Sequence, residues 1–269
     1  FFYGTAWKEE RTEALTGAAL RAGFRAIDTA NQRRHYHEAA VGAAIAACID
    51  AGVVTRAELF LQTKFTDAGG QDHRLPYDPA APPAEQVAQS FASSLEHLGT
   101  SYVDSYVLHG PAHAAGISDA DWQVWRAMSE LGRAGRARLL GVSNVSCAQL
   151  AELWRTAEVK PAFVQNRCYA RDGWDAEVRA FCRAHDVAYQ GFSLLTANRR
   201  ELAGAKVERI RARLGCTTAQ LVFAFARAVG MIPLTGTSSP AHLAEDLASL
   251  DLVLDAADVQ ALEGVGIRP

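Results

Sequence analysis

The stretch FRAIDTANQRRHYHEAAVG, Phe24 to Gly42, passes from a short apolar run through a crowded polar loop into a helix that opens on Glu38. Read as strand, loop and helix, it is one βα unit, and the same order recurs along the chain. Short β-branched or aromatic runs alternate with longer Ala-rich amphipathic runs, the pattern of repeated βα units around a parallel sheet. Strands are expected near FFYGTA, FRAID, LFLQTK, YVDSYVL, ARLLGVS, AFVQN, VAYQGFS and GMIPLT. Helices are expected over 9–22, 38–51, 84–98, 120–134, 146–157, 175–185, 217–229 and 240–248. Eight of each point to an α/β fold, a (β/α)8 TIM barrel, as a single catalytic domain over 1–269. An open doubly wound sheet competes, but YGTAWKEER after the first strand is no G-x-G-x-x-G turn.

Composition narrows the function classes. With 269 residues, 49% apolar and 21% charged, the chain can bury a large core. A formal net charge of -3 offers no basic face, so neither nucleic acid nor an anionic membrane surface is an expected partner. Its five cysteines follow no metal-ligand spacing, which suits a reducing cytoplasm. The most apolar window, VGAAIAACIDAGVV, is interrupted by Asp50 and too short to span a bilayer.

In such barrels the chemistry gathers at the C-terminal ends of the strands. Those positions here are Asp28, Lys64, His109, Ser143 with Asn144, Gln165, Phe192 and Thr235. Lys64 is one of only four lysines, and Asp28 on the neighbouring strand can balance its charge. His109 becomes a hydrogen-bond donor to a substrate oxygen, and Tyr36 a proton donor. A lysine cation nearby is expected to pull the phenol below its usual pKa.

The segments GFRAIDTA, HEAAVGAAI, LFLQTK, YVDSYVLHGP, LLGVSNVS, FVQN, GFSLL and IPLTGTSSPAHLAEDL occur in order across nearly the whole chain. Together they resemble the landmarks of the aldo-keto reductases. The resemblance implies a barrel that binds a nicotinamide dinucleotide without a Rossmann domain and transfers hydride to a carbonyl. It implies a catalytic set of Asp28, Tyr36, Lys64 and His109. The family's aspartate and tyrosine usually stand five residues apart, where this chain has Arg33, so the loop carries an insertion of about two residues. Counting back from Glu38 puts His35 in the tyrosine slot. Tyr36 is assigned the acid role on chemistry, with His35 as the second candidate.

The resemblance also assigns cofactor contacts to Thr5, Ser143, Asn144, Gln165, Phe192, Ser193, Leu195, Thr235, Gly236, Thr237, Ser238, His242, Glu245 and Asp246. Phe192 is expected to stack on the nicotinamide. Ser239 and Pro240 cap a helix whose first amides can face a phosphate. NADPH is the expected cofactor with NADH possible, because Leu234 and His242 stand where phosphate-selective relatives carry lysine and arginine. Trp7, His35, Phe65 and Trp174 are expected to bound the substrate pocket, open for want of a long C-terminal flap. A small-molecule carbonyl substrate, a monomer or weak homo-oligomer and a cytoplasmic location complete the expectation, with no metal. Two other readings stand beside it. His35-Tyr36-His37 is an H-x-H pair of the kind used by metal-dependent barrel hydrolases, and a disturbed tyrosine loop suits a non-catalytic dinucleotide sensor.

Overall fold

The computed structural model describes residues 1–267. Eight strands, β1 (Phe2–Gly4), β2 (Ala26–Asp28), β3 (Phe60–Phe65), β4 (Val103–Leu108), β5 (Ala137–Ser143), β6 (Phe163–Arg167), β7 (Ala188–Phe192) and β8 (Met231–Thr235), form a closed parallel barrel in chain order. The helices between them include α1 (Thr12–Ala22), α2 (Glu38–Asp50), α3 (Pro83–Leu98), α4 (Asp119–Arg133), α5 (Cys147–Thr156) and α6 (Ala176–Ala184). After β7 come α7 (Arg199–Leu202), α8 (Ala205–Leu214) and α9 (Thr218–Ala228), and after β8 α10 (Pro240–Ala248) and α11 (Ala256–Glu263). All eight expected strands and eight expected helices are present. The helices α7, α8 and α11 are additions to that reading. No helix among the described residues is long and apolar enough to cross a membrane.

The chain divides into two compact units, Phe2–Val164 and the segment from Gln165 onward with Phe1. In the first unit, Tyr3, Ile27, Leu61, Val103, Tyr106 and Leu140 are buried in the core. Register pairs Asp28 with Gln62 and Lys64 with Val107, so strand ends that carry chemistry lie side by side. Helix ends follow their sequence signals. Ser118 caps α4 in a box with Asp121, and Ser146 caps α5 in a box with Gln149. Helix α1 stops at Gly23, whose φ of 116° is open to a residue without Cβ. Gly42 lets α2 lie against the end of α3, since a Cβ there would meet the His97 carbonyl oxygen at 2.0 Å.

In the second unit Trp174, Phe223, Phe225 and Leu221 are buried. Trp174 packs its ring 5.2 Å from Phe225 and donates its indole N–H to the Leu262 carbonyl. Thr217 caps α9 in a box with Gln220. Asn198 ties this unit's loops together, donating to the Cys168 and Leu194 carbonyls and accepting from the Ala170 amide.

Candidate active site

The alternation of β3 builds the floor of the site. Gln62 and Lys64 point one way, Thr63 and Phe65 the other, as period two requires. Lys64 is sealed from solvent, and its Nζ donates to Asp28 Oδ1 at 2.5 Å and to the Thr29 carbonyl at 2.8 Å. Asp28 Oδ1 also accepts from Gln62 Nε2 at 2.7 Å. A buried ion pair needs this degree of satisfaction, because desolvation otherwise exceeds the Coulomb gain. Burial pulls the Lys64 ammonium below its ordinary pKa, while the Asp28 carboxylate works against that fall.

On the opposite face Thr63 donates to Glu38 Oε1, and Ser94 donates to Glu38 Oε2 at 3.0 Å. Glu38 is the first residue of α2 and is itself buried. It pins the start of that helix, and therefore the residue two positions earlier, Tyr36. The loop between β2 and α2 closes on one carbonyl: Gln32 accepts from both the His35 and Tyr36 amides, at 3.2 and 3.0 Å. Asn31 fixes the loop's base by donating to the Ser90 carbonyl at 2.9 Å.

After this turn the two candidate residues, Tyr36 and His35, have different surroundings. Lys64 Nζ stands 5.4 Å from the centroid of the Tyr36 ring, and the His109 ring meets Tyr36 edge-on at 6.0 Å. The His35 ring lies against Trp7, with centroids 3.7 Å apart and planes tilted by 34°. Asp28, Tyr36, Lys64 and His109 thus come together. The Tyr36 hydroxyl has no hydrogen-bond partner among the described residues. The expected depression of its pKa is overturned: burial, and secondarily the Asp28 carboxylate, push the phenol well above its ordinary value. The lysine charge is spent on Asp28, so it no longer outweighs desolvation.

His109 Nδ1 shares a 2.6 Å hydrogen bond with the Thr66 hydroxyl. Burial and the Lys64 cation lower its pKa to about 3, so the ring is neutral. Asn144, at a φ of 54°, donates its amide to the His109 carbonyl at 2.8 Å and to Ser143 Oγ at 3.2 Å. Sequence reading missed Gln62 and Thr66, although both share the i, i+2 phase of Lys64.

Trp7 and His35 line a cavity of about 530 Å³ whose wall also includes Tyr36. Two other expected pocket residues do not belong there. Phe65 falls on the helix-facing side of β3 and stacks on Tyr77 at 5.6 Å, buried. Trp174 is core of the second unit, its N–H already engaged. Thr5 is buried, and its hydroxyl donates to the Asp28 carbonyl at 3.0 Å.

In the second unit, Gln165 donates to Gln190 at 2.9 Å, and the half-buried Phe192 ring has the Arg167 guanidinium 5.6 Å from its centroid. Ser193 has a φ of 56°, and Leu195 is half-buried beside it in sequence. Gly236 and Ser238 are exposed in the turn before α10. There Thr237 Oγ1 accepts from the Ser239 amide, and Ser239 caps α10 by accepting from His242 N. Glu245 is half-exposed. Thr235 and Asp246 are buried and bonded to each other at 2.7 Å, which joins β8 to α10. Among the described residues no three His, Cys, Asp or Glu side chains gather as metal ligands.

The chain matches the family model "Aldo/keto reductase family" over residues 3–267. It is similar to an "Aldo-keto reductase" of Mycobacterium avium, 32% identical over 96% of this chain and 82% of the relative. It is also similar to an "NADPH-dependent alpha-keto amide reductase" of Saccharomyces cerevisiae, 26% identical over 68% of this chain and 62% of that protein. An aldo/keto reductase structure from Brucella melitensis superposes with a TM-score of 0.81 at 29% identity, covering 97% of this chain and 92% of that one. The chain belongs to the aldo/keto reductase family.

Proposed function

We propose that this chain reduces an aldehyde or ketone to the alcohol with NADPH, using Tyr36 as proton donor. Carbonyl reduction is the family's reaction, and the yeast relative carries NADPH dependence in its name. The observation that carries the reading is the buried Lys64–Asp28 pair beneath the Tyr36 ring, with a neutral His109 beside it. The nicotinamide, when bound, supplies the hydride.

The residues present suit that cofactor. In the first unit Ser143 and Asn144 offer a hydroxyl and an amide suited to a carboxamide. In the second, Thr237, Ser238 and the first amides of α10 are donors of the kind phosphates select at a helix N-terminus. Phe192 supplies an aromatic face, and Gln165 an amide.

The chain's own groups then divide the work. Tyr36 keeps its proton across the working pH range because its pKa is raised, and gives it to the developing alkoxide. Lys64 has spent two of its three N–H donors and keeps one for the phenolate that results. Thr66 donates to Nδ1 of His109, which leaves Nε2–H to orient the carbonyl oxygen and stabilise its charge.

The test is NADPH oxidation against a panel of aldehydes. Tyr36→Phe is expected to lower kcat by about 100-fold or more, the usual reach of general acid catalysis, with the cofactor Kd kept. Near-normal turnover in Tyr36→Phe, with His35→Ala inactive, overturns the assignment. Tight NADPH binding with no turnover on any carbonyl favours the sensor reading instead.

A further inference from the structure

Tyr36 stands eight positions beyond Asp28, in the segment 29–37 that joins β2 to α2. No strand ladder or helix runs through that segment, so its backbone takes its partners from elsewhere. Its turn closes on the Gln32 carbonyl, which accepts the Tyr36 amide at 3.0 Å. Gln32 is tied in turn to the β3–α3 loop, its Nε2 donating to the Gly70 carbonyl at 2.8 Å. Gln71, the next residue of that loop, returns the bond: its Nε2 donates to the Asn31 carbonyl at 2.7 Å and to the Thr66 carbonyl at 3.3 Å. Both glutamines are buried, and turned over either amide would aim an oxygen at a carbonyl. Arg74 adds a tie to the Arg33 carbonyl at 2.6 Å, but from an exposed side chain that also holds Asp72.

The two hydrogens of the Gln71 amide reach two parts of the site. Asn31 immediately precedes the residue whose carbonyl holds the Tyr36 amide. Thr66 carries the hydroxyl that shares a hydrogen bond with His109 Nδ1. One buried amide therefore joins the loop of the proton donor to the segment that meets His109. Resting on the reductase reading above, we infer that Gln71, with Gln32 as its counterpart, is a positioning residue that registers the Tyr36 loop on the end of β3. It acts through the Asn31 and Thr66 carbonyls and holds Tyr36 against His109 and Lys64, leaving the reacting atoms to that set.

The experiment is Gln71→Met, which keeps the length of the side chain and removes both donated bonds. With NADPH and benzaldehyde, kcat per NADPH-binding site is expected to fall about tenfold or more, within the reach of a misplacement of about 1 Å, while the NADPH Kd stays within about twofold. In protein carrying 13Cζ-tyrosine, the Tyr36 signal, identified by its loss in Tyr36→Phe, is expected to move. The signal of Tyr102, which precedes β4 at the opposite end of the barrel, is expected to hold. An unchanged kcat overturns the inference, as does a fall in kcat with the Tyr36 signal unmoved or with NADPH binding weakened in parallel. If the unaltered protein reduces no carbonyl, the reductase reading fails and the Tyr36 signal alone decides the placement: movement in Gln71→Met supports it and no movement overturns it. Should Gln71→Met not melt cooperatively, Gln32→Met carries the same comparison. Failure of both to fold assigns the paired amides to stability and overturns the inference.

Discussion

At His109 desolvation of the ring acts most strongly, with Lys64 and then His35 adding to it, and all three favour the neutral form. A pKa lowered to about 3 means that the imidazole gains no proton as pH falls through the usual histidine range. The pH profile of kcat/KM is therefore expected to show no inflection near 6.5 from this residue. A step there that disappears in His109→Gln would show that the ring does titrate. Thr66→Val removes the hydroxyl bonded to Nδ1 of His109 and is expected to lower kcat about tenfold, with Thr66→Ser restoring it. Much of this machinery is legible residue by residue: Asp28, Lys64 and His109 each end an apolar run. Gln62 and Thr66 are not, because a polar residue in phase with Lys64 looks like ordinary strand filling until its partner across the barrel is known. The direction of the Tyr36 shift is also hidden, since sequence gives the neighbouring cation but not the burial of the phenol, with the Asp28 carboxylate second, that outweighs it.

At the scale of elements, β8 and α10 are joined through the buried Thr235–Asp246 hydrogen bond. Burial raises the Asp246 pKa to about 6, against a value near 4 for an unfolded aspartate. Between those values the folded chain holds the proton more tightly, so this residue's contribution to stability falls as pH rises from about 4 to about 6. Above pH 6 the cost of the buried carboxylate is fully present. Asp246→Asn keeps an acceptor for Thr235 and removes the charge. It is expected to gain roughly 1–2 kcal/mol over the parent at pH 8 and to lose that advantage near pH 4. Urea unfolding at both pH values measures it, and an equal offset at both removes Asp246 from the account. Elements themselves were largely readable, because strand alternation and capping boxes such as Thr217 with Gln220 are local signals. Helix α8 escaped because AKVERIRARL carries only Val207, Ile210 and Leu214 as its apolar stripe amid five charges. The loop before α2 escaped for the opposite reason: its shape is set by hydrogen bonds to the Gln32 carbonyl, which no side-chain pattern announces.

For the whole molecule, the cofactor acts through linkage, since anything bound by the folded chain alone stabilises it in proportion to RT ln(1 + [L]/Kd). At a hundredfold excess over Kd this amounts to about 2.7 kcal/mol, or a rise in Tm of roughly 5–10 °C for a chain of this size. Which nicotinamide cofactor gives the larger rise depends on the 2'-phosphate. No lysine or arginine lies between Leu234 and His242, so the charge-assisted contacts that strengthen phosphate binding most are missing there. The Thr237 and Ser238 hydroxyls and the amides at the start of α10 remain as donors, and His242 stands beside Thr237 with Nδ1 3.5 Å from its Oγ1. Donors without fixed cations favour the phosphate moderately. NADPH is therefore expected to raise Tm more than NADH at equal concentration. A larger shift from NADH would mean that the turn before α10 does not read the phosphate at all.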